Sequence, residues 1–345
     1  MANMVYYATC WSEEDVMQDL SIQYLGLSLK NPIIIGSGPY TSSIDNLKRC
    51  EDNGVGAVVL KSIFEEQIEK DAEAAVDENE AYLTHSDAAA FVREHTAERA
   101  IDAYLELISE AKRSLSIPVI ASINCKSLGT WTEYADRFAK AGADAIEINY
   151  YVVAANREIN GEMMERKFVG LVRNARKSIT LPMAVKMGMF YSSLSNLLHE
   201  FDNDKVDGVV LFNRFFQNDI DIKAQALTQH SPLSSPNDYL IPLRWTALMS
   251  AELTCDICAS SGIWSGESIV KQLLAGAASC AICSVVMKQG LSVVGKMLSF
   301  LSDWMEQNGY DKISDFKGKL AQENIKNPDL WERSQYMKAL QGKGV

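Results

Sequence analysis

Eight short apolar runs, each closing on a polar residue or glycine and each followed by a segment of helical period, recur along this 345-residue chain. Continuous apolar runs belong to strands buried on both faces, and helices between them cover a parallel sheet. The runs are NPIIIGSG (31–38), AVVLKSI (57–63), PVIASIN (118–124), AIEINYY (145–151), PMAVKMG (182–188), GVVLFNR (208–214), TCDICASSG (254–262) and CAICSVV (280–286). Between them, Trp131, Tyr134, Ala135, Phe138 and Ala139 keep the spacing of one helix face, as do Ile269, Val270, Leu273, Leu274 and Ala277. The AGA triplets at 141–143 and 275–277 place a glycine where a left-handed cap ends a helix before the next strand. Eight strands alternating with helices predict a closed (β/α)8 TIM barrel rather than an open doubly wound sheet. Such barrels run to this length as one domain when loops are enlarged, so residues 20–345 are read as a single domain.

Two stretches interrupt the rhythm, one after the second strand and one after the sixth. Residues 64–96 are acidic and weakly periodic, a candidate lid where a barrel keeps its ligand-contacting loops. Residues 215–245 carry Pro232, Pro236 and Pro242 among polar residues and form either a second lid or a long surface connection. Residues 1–19 lack period and are read as an N-terminal extension, with Met17 as a place where a natural chain would begin.

A formal charge of −12 repels nucleic-acid phosphates and anionic membrane surfaces, and no Lys/Arg cluster offsets it. No apolar run is long enough to span a bilayer. The N-terminus has neither the basic start nor the apolar core of a signal peptide, which predicts a cytoplasmic location. The seven cysteines are then expected as reduced thiols. Cys255 with Cys258, and Cys280 with Cys283, have the spacing of zinc ligands, but each pair falls within one strand. Residues three apart on a strand point to opposite faces, so neither pair closes on one ion, and no metal is expected. Cys283, beside the turn described next, is the one to watch.

In a barrel the interior is filled by apolar layers, so polar residues at the C-terminal strand ends read as site residues. Lys61, Asn149, Lys186 and Asn213 each close an otherwise apolar run, bringing four strands to one mouth. A buried lysine costs roughly several kcal/mol unless paired, and an anionic or electron-rich ligand relieves that cost. The bland alternative has both lysines reaching solvent past the rim and both asparagines capping loops. SSGIWSGES (260–268) is a small-residue turn entering a helix, and Ser284 ends the eighth strand. Exposed N–H groups in such turns cradle anions, and barrels often bind phosphate after strands 7 and 8. A plain turn with Ser265 as N-cap is the alternative.

These motifs resemble the dihydroorotate dehydrogenase family, in its soluble class 1, from about Leu20 to about Leu320. The resemblance is carried by NPIIIGSG, LKS (60–62), IEIN (146–149), VKMG with Lys186, the Asn213 strand end, SSGI followed by SGES, LLAGA (273–277) and ISDFKGKL (313–320). It implies bound FMN, with Gly36, Ser37 and Gly38 lining the flavin from the first strand. Lys61, Ser62, Asn149 and Phe212 are implied at the cofactor as well. Lys186 is implied near the N1/O2 edge of the ring, where positive charge favours the anionic reduced form. Ser261, Gly262, Cys283 and Ser284 are implied as phosphate holders through backbone N–H groups. Class 1 relatives are often homodimers, and some take an iron–sulfur electron-transfer partner, so both are expectations here.

The departures bear on the substrate. Where the family carries a catalytic cysteine this chain has Val152, which cannot abstract a proton, and Ala154 stands at an asparagine's place. Arg214 follows Asn213 where a serine is expected, and the acidic 64–96 segment replaces an asparagine-rich loop. The reading is an FMN-dependent oxidoreductase of the pyrimidine-biosynthesis type, acting on a CH–CH bond of a small anionic substrate other than dihydroorotate. Lys61, Asn213, Arg214 and Tyr151 are its candidate catalytic residues, Arg214 by pairing a substrate carboxylate. The proton donor or acceptor is sought among Tyr150, Tyr151, His85 and His95. Two alternatives stand beside it: a catalytically inert flavin barrel in a complex, and a non-redox barrel enzyme holding a substrate's phosphate in the same turn.

Overall fold

A computed structural model describes residues 18–78, 86–124, 128–214, 217–229 and 231–332. The chain enters through an antiparallel hairpin, β1 (Ile22–Tyr24) and β2 (Leu27–Leu29). The Leu25 N–H at its turn donates to the Asp256 carboxylate at 2.8 Å, and Tyr24 is buried, so the hairpin closes the barrel floor. The barrel follows as β3 (Ile33–Ile35), β4 (Ala57–Val59), β6 (Val119–Asn124), β7 (Ala145–Tyr150), β8 (Met183–Met187), β9 (Gly208–Leu211), β12 (Asp256–Ser260) and β13 (Ser279–Ile282). Each pairs in parallel with the next, and β13 returns to β3, closing the ring of eight. β5 (Ile63–Phe64) adds a rim pairing to β6.

Helices α1 (Ile44–Asp52), α2 (Glu65–Glu78), α3 (Ser86–Ser114), α4 (Leu128–Ala141), α5 (Gly161–Ser178), α6 (Leu194–Asn203), α7 (Leu240–Met249), α8 (Gly266–Ala275), α9 (Ser284–Gln289) and α10 (Val293–Gln307) follow in chain order. Trp131, Ala135 and Phe138 of α4 are buried against the ring, as are Ile269, Val270 and Leu273 of α8, the residues their spacing picked out. Gly142 and Gly276 adopt φ of +100° and +109°, the left-handed cap conformation expected of both AGA triplets. None of the described helices is long and apolar enough to cross a membrane.

Three expectations are redrawn. AVVLKSI is two strands: β4 stops at Val59, and the Lys61 N–H turns away from the ladder to the Thr41 carbonyl at 3.0 Å. CAICSVV ends as a strand at Ile282, because Ser284 opens α9, so Cys283 and Ser284 form a strand-to-helix junction. The described parts of the 64–96 insertion are helical, α2 and the start of α3, with α2 packed on α3 and Arg93 bonded across the pair to Glu73 at 2.7 Å. Its helical period is weak in sequence because its faces are mostly exposed; Ile68 and Ala72 are the buried positions of α2. The second insertion carries an exposed hairpin, β10 (Asn218–Asp221) with β11 (Ala226–Gln229), before 231–239 returns to the mouth. Gln18 and Asp19, assigned from sequence to the extension, are bonded to Ser302 at 3.0 Å and to the Asp311 carbonyl at 2.8 Å.

One carboxylate ties two elements at the floor. Asp202 on α6 accepts from the Thr254 N–H and hydroxyl at 3.0 and 2.8 Å and from the Cys255 N–H at 2.8 Å. Burial alone would raise its carboxyl, but these hydrogen bonds outweigh it and hold the group below its ordinary value. A depressed folded-state value contributes stability above the ordinary carboxylate range and loses it as pH falls through that depressed value. Asp202→Asn is therefore expected to cost about 1 kcal/mol at neutral pH, with the gap between variant and parent closing in acid. Urea unfolding at two pH values reads the difference.

Candidate active site at the barrel mouth

Period two on a strand decides which side chains enter the mouth. Glu147 and Asn149 share the inward face of β7, and Asn149 lies beside Lys186 in the β7–β8 register. Asn213 follows β9 by two residues, fixed by its N–H to the Met187 carbonyl at 2.7 Å. Its amide donates to Asn149 Oδ1 at 2.7 Å, joining two of the strand-end residues directly. Lys186 is only 8% exposed, whereas Lys61 is exposed at the rim of the cavity.

The mouth is a cavity in two lobes. One, of about 370 Å³, runs from Gly36, Ser37 and Gly38 past Lys186 to Ser261, Gly262, Cys283 and Ser284. The other, of about 340 Å³, adds Lys61, Ser62, Asn149 and Tyr151. Ser37, Gly38, Lys186, Asn213 and Arg214 line both, so nearly every site residue named from sequence meets at one place. Phe212 differs: it is fully buried and lines the neighbouring cavity of about 650 Å³, while its carbonyl accepts from Ser261 Oγ at 3.1 Å.

Hydrogen bonds order the floor of this cavity. Lys186 Nζ lies 3.5 Å from Glu147 Oε1, with both side chains nearly excluded from water. Arg214 Nη1 is held by Asp238 at 2.7 Å, and Asp238 in turn accepts from the Ser235 N–H and hydroxyl at 2.8 and 2.7 Å. Burial would raise the Asp238 carboxyl, but the Ser235 bonds and the Arg214 charge bring it below its usual value. Asp238 uses one end of the guanidinium, and the buried Nε of Arg214 has no partner among the described residues.

The turn after β12 is the candidate anion cradle. Ser261 and Gly262 both have positive φ, +78° and +73°, a backbone conformation rare for a serine. Among the described residues no acceptor takes the N–H of Gly262 or Ile263. Ser265 caps α8 by accepting from the Ser268 N–H at 3.3 Å, so the N-cap alternative holds for Ser265 while the turn before it keeps free donors. Ser284 Oγ accepts from the Ser234 N–H at 2.9 Å, which fastens the returning 231–239 segment over the cradle.

The remaining candidates separate clearly. Tyr150 stacks on Phe168 at 4.1 Å between centroids, packs into the core and lines neither lobe. Tyr151 lines the cavity, with burial pushing its phenol up. His95 stacks on Phe91 within α3 and lines neither lobe, and His85 lies outside the described residues. Val152 is 47% exposed beyond β7 and also lines neither lobe. Burial pushes the Cys255 and Cys258 thiols up to about 12, the behaviour of protonated core thiols. Cys283 Sγ sits 3.9 Å from the Ser37 carbonyl at the cavity wall. Sequence reasoning passed over Glu147, Ser122, Ser234 and Asp238. The inward face shared with Asn149 was the available signal for Glu147.

A family model described as "Dihydroorotate dehydrogenase" matches residues 19–305. The catalytic subunit of dihydroorotate dehydrogenase B (NAD(+)) from Thermoplasma acidophilum is 26% identical, over 88% of this chain and 99% of its own length. The NAD-dependent dihydropyrimidine dehydrogenase subunit PreA of Escherichia coli is 25% identical over 92% of this chain and 80% of its own. Chloroplastic dihydropyrimidine dehydrogenase (NADP(+)) of Arabidopsis thaliana is 24% identical over 91% and 80%. A match spanning the closed barrel and every strand end at its mouth places the chain in the dihydroorotate dehydrogenase family.

Proposed function

We propose that this chain is an FMN-dependent oxidoreductase that acts on a CH–CH bond of a small anionic substrate. The observation that carries the reading is one cavity with a buried cation, Lys186, at one wall and the free Gly262 and Ile263 amides at another. That donor set suits a flat cofactor with an electron-poor ring and a phosphate tail. Gly38, in the wall of the same cavity, packs directly on Cys283, since a Cβ there would lie 2.7 Å from Cys283 Sγ. FMN when bound supplies hydride transfer; the protein supplies charge, orientation and exclusion of water. Lys186 presents positive charge, the Asn149–Asn213 amide pair fixes hydrogen-bonding direction, and Gly262, Ile263 and the Cys283–Ser284 junction hold the phosphate.

On the substrate side, Arg214 offers a guanidinium already oriented by Asp238, suited to a carboxylate. Tyr151 is the candidate proton donor or acceptor from the tyrosine and histidine set that lines the cavity, since Val152 has no titratable group. These two residues argue for a substrate other than dihydroorotate, although the relatives' names keep dihydropyrimidines within the class to be tried. Two of those relatives are named as subunits, which supports a partner chain in electron transfer.

The test begins with colour. Purified protein is expected to be yellow, with flavin near one per chain, and a colourless preparation that cannot be reconstituted with FMN refutes the reading. The bound flavin is then photoreduced and offered enoates, pyrimidines and orotate. Reoxidation by oxygen alone favours an inert barrel, and rapid flavin reduction by dihydroorotate overturns the inference from Val152. Arg214→Met is expected to raise KM about tenfold or more for a carboxylate substrate, the worth of a charge-assisted pair, while flavin content stays unchanged.

A further inference from the structure

We infer that Glu147 is a positioning residue, one that fixes Lys186 and, through two serines, Ser37 at the wall of the mouth cavity; this rests on the flavin reading above. Glu147 is 3% exposed, lines neither lobe, and still reaches the cavity by two routes. Directly, its Oε1 lies 3.5 Å from Lys186 Nζ. Indirectly, the same oxygen accepts from Ser122 Oγ at 3.4 Å, Ser122 Oγ lies 2.7 Å from Ser62 Oγ, and Ser62 Oγ lies 3.0 Å from Ser37 Oγ. The Ser62 N–H also donates to Ser37 Oγ at 2.8 Å. Tyr104 locks the middle of the chain, its hydroxyl donating to the Ser122 carbonyl at 3.1 Å and accepting from the Ser122 N–H at 2.9 Å.

Both ends of this chain, Ser37 and Lys186, open into the same cavity, while its body runs beneath. A carboxylate inside an apolar barrel is costly, and well-packed apolar residues would often serve stability better. Here its charge sets how much positive field Lys186 shows to whatever fills the cavity. In a low-dielectric interior that field acts at full strength, and the hydroxyl chain carries the constraint across to Ser37.

The experiment is Glu147→Gln in the full chain, reconstituted with FMN and followed by spectroelectrochemistry. Removing the carboxylate leaves the Lys186 charge uncompensated, so the reduced, anionic cofactor is favoured and the midpoint potential rises. The expected change is about tenfold in the reduction equilibrium, ~30 mV for a two-electron couple. Ser122→Ala, which keeps the lysine contact and breaks the hydroxyl chain, is expected to shift the potential less. A variant that loads FMN fully and keeps the parent potential overturns the proposal. Where Glu147→Gln does not accumulate folded, Glu147→Asp carries the same test, with a smaller rise expected and an unchanged potential again decisive against. Labelling of Lys186 by acetic anhydride, mapped by mass spectrometry on cofactor-free protein, separates the two readings. Parent protein that takes up no FMN sinks the flavin reading alone. Labelling several-fold faster in Glu147→Gln than in the parent then still supports positioning, and equal rates overturn it.

Discussion

Lys186→Met is expected to cost the protein both its flavin chemistry and a large part of its stability. Glu147 and Lys186 are buried as a pair, with side chains 4% and 10% exposed, so removing the ammonium leaves a carboxylate in a dry barrel. Breaking such a pair from one side costs about 3–5 kcal/mol, a sizeable share of a domain's total. The hydrogen bond from Ser122, at 3.4 Å, is too long to replace the lost partner. The functional loss is separate, because a preorganised charge in a water-excluded site supplies about 10²–10³ in rate. Thermal unfolding and turnover therefore both fall, but for different reasons. The double variant Lys186→Met with Glu147→Gln distinguishes them: with neither charge buried, most of the stability is expected to return while turnover stays low. Recovery of both would mean that Lys186 serves only the fold.

The two halves of the site were unequally legible in the sequence, and the physical reason is periodicity. Lys186, Asn149 and Asn213 stand out because a barrel strand is otherwise apolar, so one polar residue at its end marks the mouth. Glu147 obeys the same period of two as Asn149, yet an inward carboxylate two residues below the rim reads as an anomaly until Lys186, paired with Asn149 in the register, is seen 3.5 Å from it. Ser122, two strands from Ser37 and invisible as a lone small residue in PVIASIN, acquires meaning only through its contacts. Segment 231–239 has no period at all. Its prolines and serines gave no hint that Ser234 would tie to Ser284 or that Asp238 would orient Arg214. Lys61 shows the opposite limit: its sequence context matched that of Lys186, but β4 ends two residues before it and leaves it in solvent.

Gly262→Ala is expected to empty the site while leaving most of the barrel standing. At φ +73° a residue with a Cβ costs about 1–2 kcal/mol by local sterics alone. The larger problem is space: a Cβ would lie 2.0 Å from the Tyr239 N and 2.4 Å from the Asp238 carbonyl carbon, both backbone atoms that cannot rotate aside. Either the turn or the 238–239 backbone must move. If the turn yields, the Gly262 and Ile263 amides leave the cradle; if the backbone yields, Asp238 withdraws and Arg214 loses its anchor. FMN retention is expected to fall at least tenfold on the first route, and carboxylate KM to rise on the second, so flavin content against substrate saturation tells which gave way. Gly170→Ala in α5 is the matched control, since nothing lies within 4 Å of a Cβ there. Inside a helix that change should gain up to about 1 kcal/mol and leave flavin content untouched. Equal flavin content in the two glycine variants would mean that the turn after β12 does not hold the phosphate.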